Sequence, residues 1–244
     1  MTSRPVARAL LLAALAAAPR ARAAEGTPAR VPADATRTYG ARAFVPEYTP
    51  PAPGSYALPV VDVVGDHPLL DADGRNTTLF ALTGDRLAVV AFVYTSCIEA
   101  TGCPFSLAVL QRIDRALAAD RALAGRVTLI AVSFDPERDD AARMARLRRL
   151  YKPKADWRFA TTRSDAELAP LLDDFNQPVA KLRSDDGRAT GLYRHVLKVF
   201  CLDGAHRVRN VYSVGMLDPE LVLNDLRTLA MDGDGRSGAV TSAR

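Results

Sequence analysis

The sequence predicts an α/β domain with a central mixed sheet, helices on both faces and a small hairpin extension at its N-terminal end. Residues 87–94 and 127–134 are short, largely apolar runs, as in strands that are buried on both faces. Residues 104–123 between them carry apolar side chains at helical spacing. A strand, a helix and a second strand in this order form a βαβ unit, which indicates that the two strands run parallel.

The elements before this unit form the predicted extension. Residues 58–64 are a short apolar segment that we expect to form a strand. An Asp-Gly turn within residues 70–76 precedes residues 77–82, and this pattern is typical of a β-hairpin. We expect the hairpin to lie in front of the main sheet.

Two helices and a strand are predicted after the unit. An arginine-rich helix follows residues 135–139 and carries Met144 on its apolar side, and residues 157–160 form a short strand. A capping box at residues 164–167 opens another short helix, which runs toward Phe175.

The last part of the chain predicts a loop, a hairpin and a helix. Residues 176–192 are polar and contain glycine, so we expect a mobile loop there. Residues 195–202 and 207–214 flank a tight turn and indicate two antiparallel strands. An N-cap, a proline and an acid at residues 218–220 open a final helix, which we expect to end near Met231. This order of elements predicts a thioredoxin-like fold.

The beginning of the chain has the pattern of a secretory signal peptide, which we place at residues 1–23. Arg4 and Arg8 precede an apolar run at residues 9–18, and residues 21–23 form a small-x-small cleavage site. The apolar run is too short for a bilayer, which needs about 20 residues. We therefore expect an exported, periplasmic protein, with membrane anchoring as the alternative if the leader is not cleaved.

The remaining chain divides into a Pro/Ala-rich linker at residues 24–54, a domain at residues 55–231 and a flexible tail at residues 232–244. Cleavage of the leader removes four arginines and no acid, so the net charge falls from +4 to 0 and nucleic acid is not an expected partner. Six basic side chains on and after the arginine-rich helix are interpreted as a solvated face or, less often, a docking face for an acidic partner: Arg143, Arg146, Arg148, Arg149, Lys152 and Lys154.

Cys97 and Cys103 follow the first strand of the βαβ unit, at the sheet edge where reactive groups gather in open α/β sheets. Pro104 suits the first turn of a helix, so Cys103 lies at a helix N-terminus, where the partial positive charge favours a thiolate. The spacing matches neither a CxxC motif nor a zinc knuckle, which leaves a disulfide, a metal site and a redox switch open. Cys201 lies in a predicted strand and is interpreted as a small buried hydrophobic residue.

A soft pair of thiolates with one neutral nitrogen suits Cu(I). His195 is the best nitrogen candidate, because it is expected to open a strand after the polar loop and needs no proton loss to bind a metal near neutral pH. His67, in a polar loop, and His206, in the tight turn, are weaker candidates.

The runs FVYTSC, CPFS, VSFDPERD and YRHVLKVFCLDGAHRVRNVYS occur in this order between residues 58 and 230 and resemble the Sco/SenC family of thioredoxin-fold copper proteins. The resemblance implies that Cys97, Cys103 and His195 hold copper, as Cu(I) or Cu(II). It implies a metallochaperone that delivers copper to the CuA site of cytochrome c oxidase or reduces its cysteines. The implied partner is the CuA-bearing subunit or another exported cuproprotein.

The chain departs from the CxxxC pair of that family, because five residues separate Cys97 from Cys103. Gly102 allows the extra residues to loop out, with the sulfurs still in reach of each other. Glu99 within the loop disfavours a nearby thiolate unless it faces solvent. Residues 135–139 are a distinctive marker of the resemblance, which we interpret as a turn and helix entry.

The departure keeps a second function open, in which Cys97 and Cys103 are the redox pair of a thiol-disulfide oxidoreductase that acts on partner cysteines without a bound metal. A peroxidase-like function ranks last, because neither cysteine has a threonine three positions before it.

Overall fold

The computed structural model describes residues 48–241, and the side chains of residues 48–233. The predicted signal peptide and residues 24–47 of the predicted linker lie outside the described residues. Between residues 48 and 241, no helix combines the length and the apolar character needed to cross a bilayer.

The described chain contains ten strands and five helices. The strands are β1 Asp62–Val63, β2 Pro68–Asp71, β3 Asn76–Thr78, β4 Leu87–Val93, β5 Val127–Ser133, β6 Trp157–Thr161, β7 Val179–Arg183, β8 Ala189–His195, β9 Val199–Leu202 and β10 Arg207–Tyr212. The helices are α1 Leu79–Thr83, α2 Cys103–Ala119, α3 Ala141–Tyr151, α4 Asp165–Asp174 and α5 Pro219–Thr241.

Eight of the strands form one mixed sheet in the order β1-β10-β9-β4-β5-β6-β2-β3. At its centre, β4 pairs in parallel with β5 from Leu87 opposite Val127 to Val93 opposite Ser133, and β5 pairs in parallel with β6. The antiparallel pair of β9 and β10 continues the sheet on the other side of β4. The predicted α/β, thioredoxin-like fold is confirmed, because β4, α2 and β5 form the predicted parallel unit.

Burial of apolar side chains explains why this unit is central. Every residue of β5 is buried, and in β4 all but Leu87 are buried, so neither strand exposes a face to water. Helix α2 buries Leu107, Leu110 and Ile113 and packs against α5. At the end of α4, the ring of Phe175 contacts Phe92 of β4 edge to face at 5.1 Å.

The N-terminal part differs from its prediction in two respects. The hairpin of β2 and β3 forms, but it belongs to the main sheet, because Leu70 of β2 pairs with Thr161 of β6. Residues 79–82 are helical rather than extended, since the Thr78 hydroxyl accepts a hydrogen bond from the amide of Ala81 and caps α1. The strand predicted at residues 58–64 is reduced to β1.

The prediction of a mobile loop at residues 176–192 is wrong, because β7 and β8 form a two-stranded antiparallel sheet there. Its turn is closed by hydrogen bonds from Ser184 N to Arg188 O and from Gly187 N to Ser184 O. His195 therefore ends β8 instead of opening the strand predicted at residues 195–202. Only Tyr193 is buried among the residues of these two strands, so the sequence shows no apolar pattern to reveal them.

The final helix starts as predicted, with the Asp218 carboxylate accepting a hydrogen bond from the amide of Leu221. It continues past Met231 to Thr241, so residues 232–241 of the predicted flexible tail are helical. The glycines in that segment lower helix propensity without ending the helix.

Candidate metal centre

The loop from β4 to α2 brings its two cysteines together through consecutive turns. The amide of Cys97 donates to the carbonyl of Tyr94 at 3.3 Å, and the amide of Gly102 donates to the carbonyl of Glu99 at 3.0 Å. Glycine suits the second turn, because a Cβ at Gly102 would lie 3.3 Å from both Cys97 Sγ and Glu99 O and would push these atoms away by a few tenths of an ångström. The two extra residues are therefore accommodated within the loop, and the sulfurs stay close.

The structure places His195 beside this loop. One ligand atom from each of Cys97, Cys103 and His195 lies within 4.8 Å of the other two. The distance between Cys103 Sγ and His195 Nε2 is 4.0 Å. Neither cysteine is in a disulfide, and Cys103 is buried while Cys97 is half-buried. The three residues singled out from the sequence thus form one cluster with two sulfurs and one nitrogen.

Aromatic rings hold the imidazole of His195 in place. Its ring centroid lies 5.8 Å from that of Tyr94 and 5.2 Å from that of Phe134. The opposite ring nitrogen, Nδ1, lies 3.5 Å from the carbonyl oxygen of Tyr193, where it can donate a hydrogen bond. A proton on Nδ1 leaves the lone pair of Nε2 directed at the sulfurs, and this is the tautomer that binds a metal through Nε2.

The two thiols have opposite acidities. A hydrogen bond from the Cys103 thiol lowers the pKa of Cys97 to about 5 and outweighs burial, which acts in the opposite direction. Backbone amides of Cys103 and Glu99 and the hydroxyl of Tyr94 also donate to Cys97. The same hydrogen bond to Cys97, together with burial, raises the pKa of Cys103 far above its ordinary value. Cys97 is therefore a thiolate at neutral pH and Cys103 a thiol.

The direction of these shifts differs from the expectation that the helix N-terminus favours a thiolate at Cys103. Helix α2 does begin at Cys103, and the amide of that first residue lowers the pKa of both sulfurs, but at Cys103 the interaction with Cys97 and burial outweigh it. The helix N-terminus therefore helps to stabilise negative charge on the neighbouring cysteine. The side chain of Glu99 is exposed, which is the condition under which it does not oppose a thiolate.

The other candidate residues lie elsewhere in the structure. Cys201 is fully buried in β9, and burial raises its pKa to about 12. The Nε2 atom of His67 contacts Asp174 Oδ2 at 2.7 Å. The ring of His206 stacks on Phe80 at 3.6 Å. Neither histidine joins a cluster of three metal-binding side chains within the described residues.

The basic face of α3 is partly neutralised by neighbouring carboxylates. Arg148 forms an ion pair with Asp73 at 2.6 Å, and Arg143 Nε lies 3.7 Å from Asp139 Oδ1. Arg146, Arg149 and Lys152 are exposed. These contacts agree with either a solvated face or a docking face.

Comparison with known proteins places this site in a family. The family model described as SCO1/SenC matches residues 57–231, which include the cysteine loop and β8. The chain belongs to the SCO1/SenC family. No curated protein sequence matches the chain significantly.

Solved structures of other Sco proteins share the fold of this SCO1/SenC protein. ScoI of Bradyrhizobium japonicum with copper bound is 25% identical, with a TM-score of 0.55 and coverage of 68% of this chain and 98% of that chain. Apo Sco1 of Thermus thermophilus is 23% identical, with a TM-score of 0.59 and coverage of 74% and 98%. BsSco, described as a member of the Sco family of cytochrome c oxidase assembly proteins, is 20% identical, with a TM-score of 0.57 and coverage of 72% and 98%.

Proposed function

We propose that this SCO1/SenC protein is an exported copper-binding protein that holds one copper ion through Cys97, Cys103 and His195 and assists assembly of the CuA site of cytochrome c oxidase. The observation that carries the proposal is the convergence of the three ligand atoms within 4.8 Å. The copper-bound relative from Bradyrhizobium japonicum supports the choice of metal.

The chemistry of the cluster suits Cu(I), which prefers polarisable sulfur ligands and a low coordination number. Cys97 needs no proton loss at neutral pH, because its pKa is lowered to about 5 by the hydrogen bond from Cys103. Cys103 carries a proton that copper has to displace, since burial and the same hydrogen bond raise its pKa. Copper binding should therefore release about one proton at neutral pH.

The exposure of the two sulfurs differs in a way that suits transfer. Cys103 is only 3% exposed, whereas Cys97 is half-buried and the adjacent Ile98 is 85% exposed. An incoming ligand from a recipient protein can reach the copper from the Cys97 side, while Cys103 and His195 still hold it. We therefore propose ligand exchange that begins at Cys97.

The proposed location and the proposed recipient are supported by different observations. The signal-peptide pattern of residues 1–23 supports export to the periplasm. Family membership and the description of BsSco support a role in cytochrome c oxidase assembly, and the CuA-bearing subunit is the recipient that we propose. Another exported cuproprotein with thiolate ligands is the alternative recipient.

A second candidate function is reduction of a disulfide in a partner protein, and the thiolate of Cys97 beside the protonated Cys103 favours it. Cys97 Sγ would attack the partner disulfide, forming a mixed disulfide and releasing one partner thiolate. Cys103 would then lose its proton and attack Cys97 Sγ, which releases the second partner thiolate. The partner gains two electrons, and this protein ends with a Cys97–Cys103 disulfide.

Anaerobic titration of the reduced protein with Cu(I), against a competing chelator, tests the primary proposal. We expect one copper ion per chain, and a loss of affinity of roughly tenfold or more in His195→Ala. His206→Ala is the matched control, because His206 stacks on Phe80 away from the cluster. Equal affinity in His195→Ala and His206→Ala would remove His195 from the site. A mixed disulfide trapped in Cys103→Ser would instead support the redox function.

A further inference from the structure

Residues 135–139, predicted to form a turn and helix entry, are hydrogen-bonded to the cysteine loop. The carboxylate of Asp139 is buried and accepts hydrogen bonds from the amide of Thr95 at 2.8 Å and from its hydroxyl at 2.5 Å. It also accepts from Ser133 Oγ at 2.6 Å, which ties it to the end of β5. Because Thr95 lies two residues before Cys97, Asp139 fixes the start of the cysteine loop relative to β5.

The same segment is bonded to the hairpin that carries His195. Arg138 donates from Nη1 to the carbonyl of Gly191 in β8 at 2.8 Å. Its guanidinium occupies the space where a side chain at Gly191 would lie, with Nη1 only 2.7 Å from a Cβ there. Glu137 accepts a hydrogen bond from Lys181 of β7 at 2.7 Å. Both strands of the hairpin are therefore held by residues 137 and 138.

Contacts from residues 134 and 138 reach β8 close to His195. Tyr193 and His195 are two residues apart and face the same way, whereas Gly191 lies where the register with β7 shifts and its φ is +79°. Arg138 contacts the strand at Gly191, and the ring of Tyr193 packs on Phe134 at 5.3 Å. The ring of His195 then packs on Phe134, the residue immediately before the segment. The hairpin makes no backbone pairing with the main sheet, so these side chains are important in placing it.

We propose that residues 135–139 position the metal centre, with Asp139 setting the cysteine loop and Arg138 setting the hairpin that presents His195 to the sulfurs. The inference rests on the proposed copper function and deepens it, because it identifies what determines the distance between the sulfurs and the imidazole. These are positioning residues, since none of them contributes an atom to the cluster.

Arg138→Ala tests whether Arg138 positions the hairpin that carries His195. We expect its Cu(I) affinity to fall by roughly tenfold to a hundredfold, as for other residues that orient metal ligands. Arg188→Ala is the matched control, because Arg188 lies in the turn of the same hairpin and its side chain forms an ion pair with exposed Asp186. Arg138→Lys, which keeps one donor for the carbonyl of Gly191, should recover part of the affinity and serves if the alanine variant does not fold.

Thr95→Val tests whether Asp139 positions the cysteine loop, because it removes the hydroxyl that donates to Asp139 and keeps the shape of the side chain. Thr101→Val in the same loop is its control. We expect Thr95→Val to weaken copper binding by roughly tenfold and Thr101→Val to leave it unchanged. Unfolding midpoints of all the variants separate misplacement of the ligands from a general loss of stability.

A metal-free measurement separates failure of this proposal from failure of the copper function. In the apo protein, NMR should show nuclear Overhauser contacts between the rings of His195 and Phe134, and Arg138→Ala should lose them while Arg188→Ala keeps them. If the wild type binds no copper, the copper function fails and the NMR contacts still test the positioning. If Arg138→Ala keeps both these contacts and the copper affinity of the wild type, the positioning role is overturned.

Discussion

His195 lies beside the first residue of α2, with its Nε2 4.0 Å from Cys103 Sγ, although the two residues are 92 positions apart in the chain. The interaction between the two cysteines lowers the pKa of Cys97 and, together with burial, raises the pKa of Cys103. The negative charge is therefore favoured on Cys97, the sulfur in the loop. The two sulfurs therefore differ in charge before any metal binds.

The acidity of Cys97 predicts an unusual pH profile for alkylation. Its thiolate persists above a pKa of about 5, so reaction with iodoacetamide should already be fast at pH 6 and should fall only as the pH drops through that value. Cys103→Ala removes the hydrogen bond and should move the profile toward the ordinary thiol value near pH 8.5. Rates followed by mass spectrometry check this, and an unchanged profile in Cys103→Ala would contradict the assigned hydrogen bond.

The three cysteines should differ in reactivity in the native state. Cys201 is fully buried in β9 and its pKa is raised to about 12 by burial, so it should resist alkylation until the protein unfolds. We expect native protein to be modified at Cys97 first and denatured protein at all three cysteines. Peptide mapping after brief treatment measures the order, and early modification of Cys201 would show that β9 opens readily.

Gly102 should be intolerant of even one added methyl group. In Gly102→Ala, the new Cβ would lie 3.3 Å from Cys97 Sγ and from Glu99 O, so the sulfur has to move away from its hydrogen-bond donors. We expect Cu(I) affinity to fall by roughly tenfold and stability to fall by about 1 kcal/mol. Ala100→Ser, at an exposed position of the same loop, is the control. Equal affinities in the two variants would show that the loop adapts.

The buried ion pair between Asp203, which follows β9, and Arg209 of β10 should contribute strongly to stability. Asp203 accepts a hydrogen bond from Arg209 Nη1 at 2.8 Å, and the two side chains are 9% and 10% exposed. Asp203→Ala leaves Arg209 buried without this partner and should cost about 3 kcal/mol. Asp186→Ala, which breaks the exposed pair with Arg188, should cost less than about 0.5 kcal/mol. Urea unfolding of both variants measures the difference, and equal costs would contradict it.

The same pair gives stability a defined pH dependence. Burial raises the pKa of Asp203, but hydrogen bonds from Arg207 and Arg209 outweigh it and leave the pKa below its ordinary value. The contribution of Asp203 is therefore complete above the ordinary aspartate pKa and is lost as the pH falls through the lowered value. Asp203→Asn should flatten the acid limb of the unfolding curve, and an unchanged limb would show that other carboxylates determine it.

Much of the fold could be predicted from the sequence, because its central elements bury wide apolar surfaces. The runs that form β4 and β5 are apolar nearly throughout, and the apolar spacing of α2 and the capping box of α4 have local causes. The hairpin of β7 and β8 could not be predicted in this way. It is mostly exposed and is held by ion pairs and by Arg138, which are long-range contacts without a local sequence pattern.

The residues of the site could be predicted from the sequence, whereas the pKa values of its two sulfurs could not. Cys97, Cys103 and His195 were singled out from residue types, from the position of the strand end and from the Sco/SenC resemblance. The pKa values of the two sulfurs depend on their interaction with each other, on the deeper burial of Cys103 and on the hydroxyl of Tyr94, all of which are set by the fold of the loop. The positioning role of residues 135–139 likewise requires the distances to Thr95 and Gly191.

The central claim is that one copper ion binds between two sulfurs and one imidazole nitrogen. X-ray absorption of the Cu(I)-loaded protein tests it most directly, because it counts sulfur and nitrogen neighbours separately. We predict two sulfur neighbours and one nitrogen neighbour in the wild type, and loss of the nitrogen in His195→Ala with both sulfurs retained. A spectrum that is the same in His195→Ala as in the wild type, or a wild-type spectrum with fewer than two sulfur neighbours, would contradict the account.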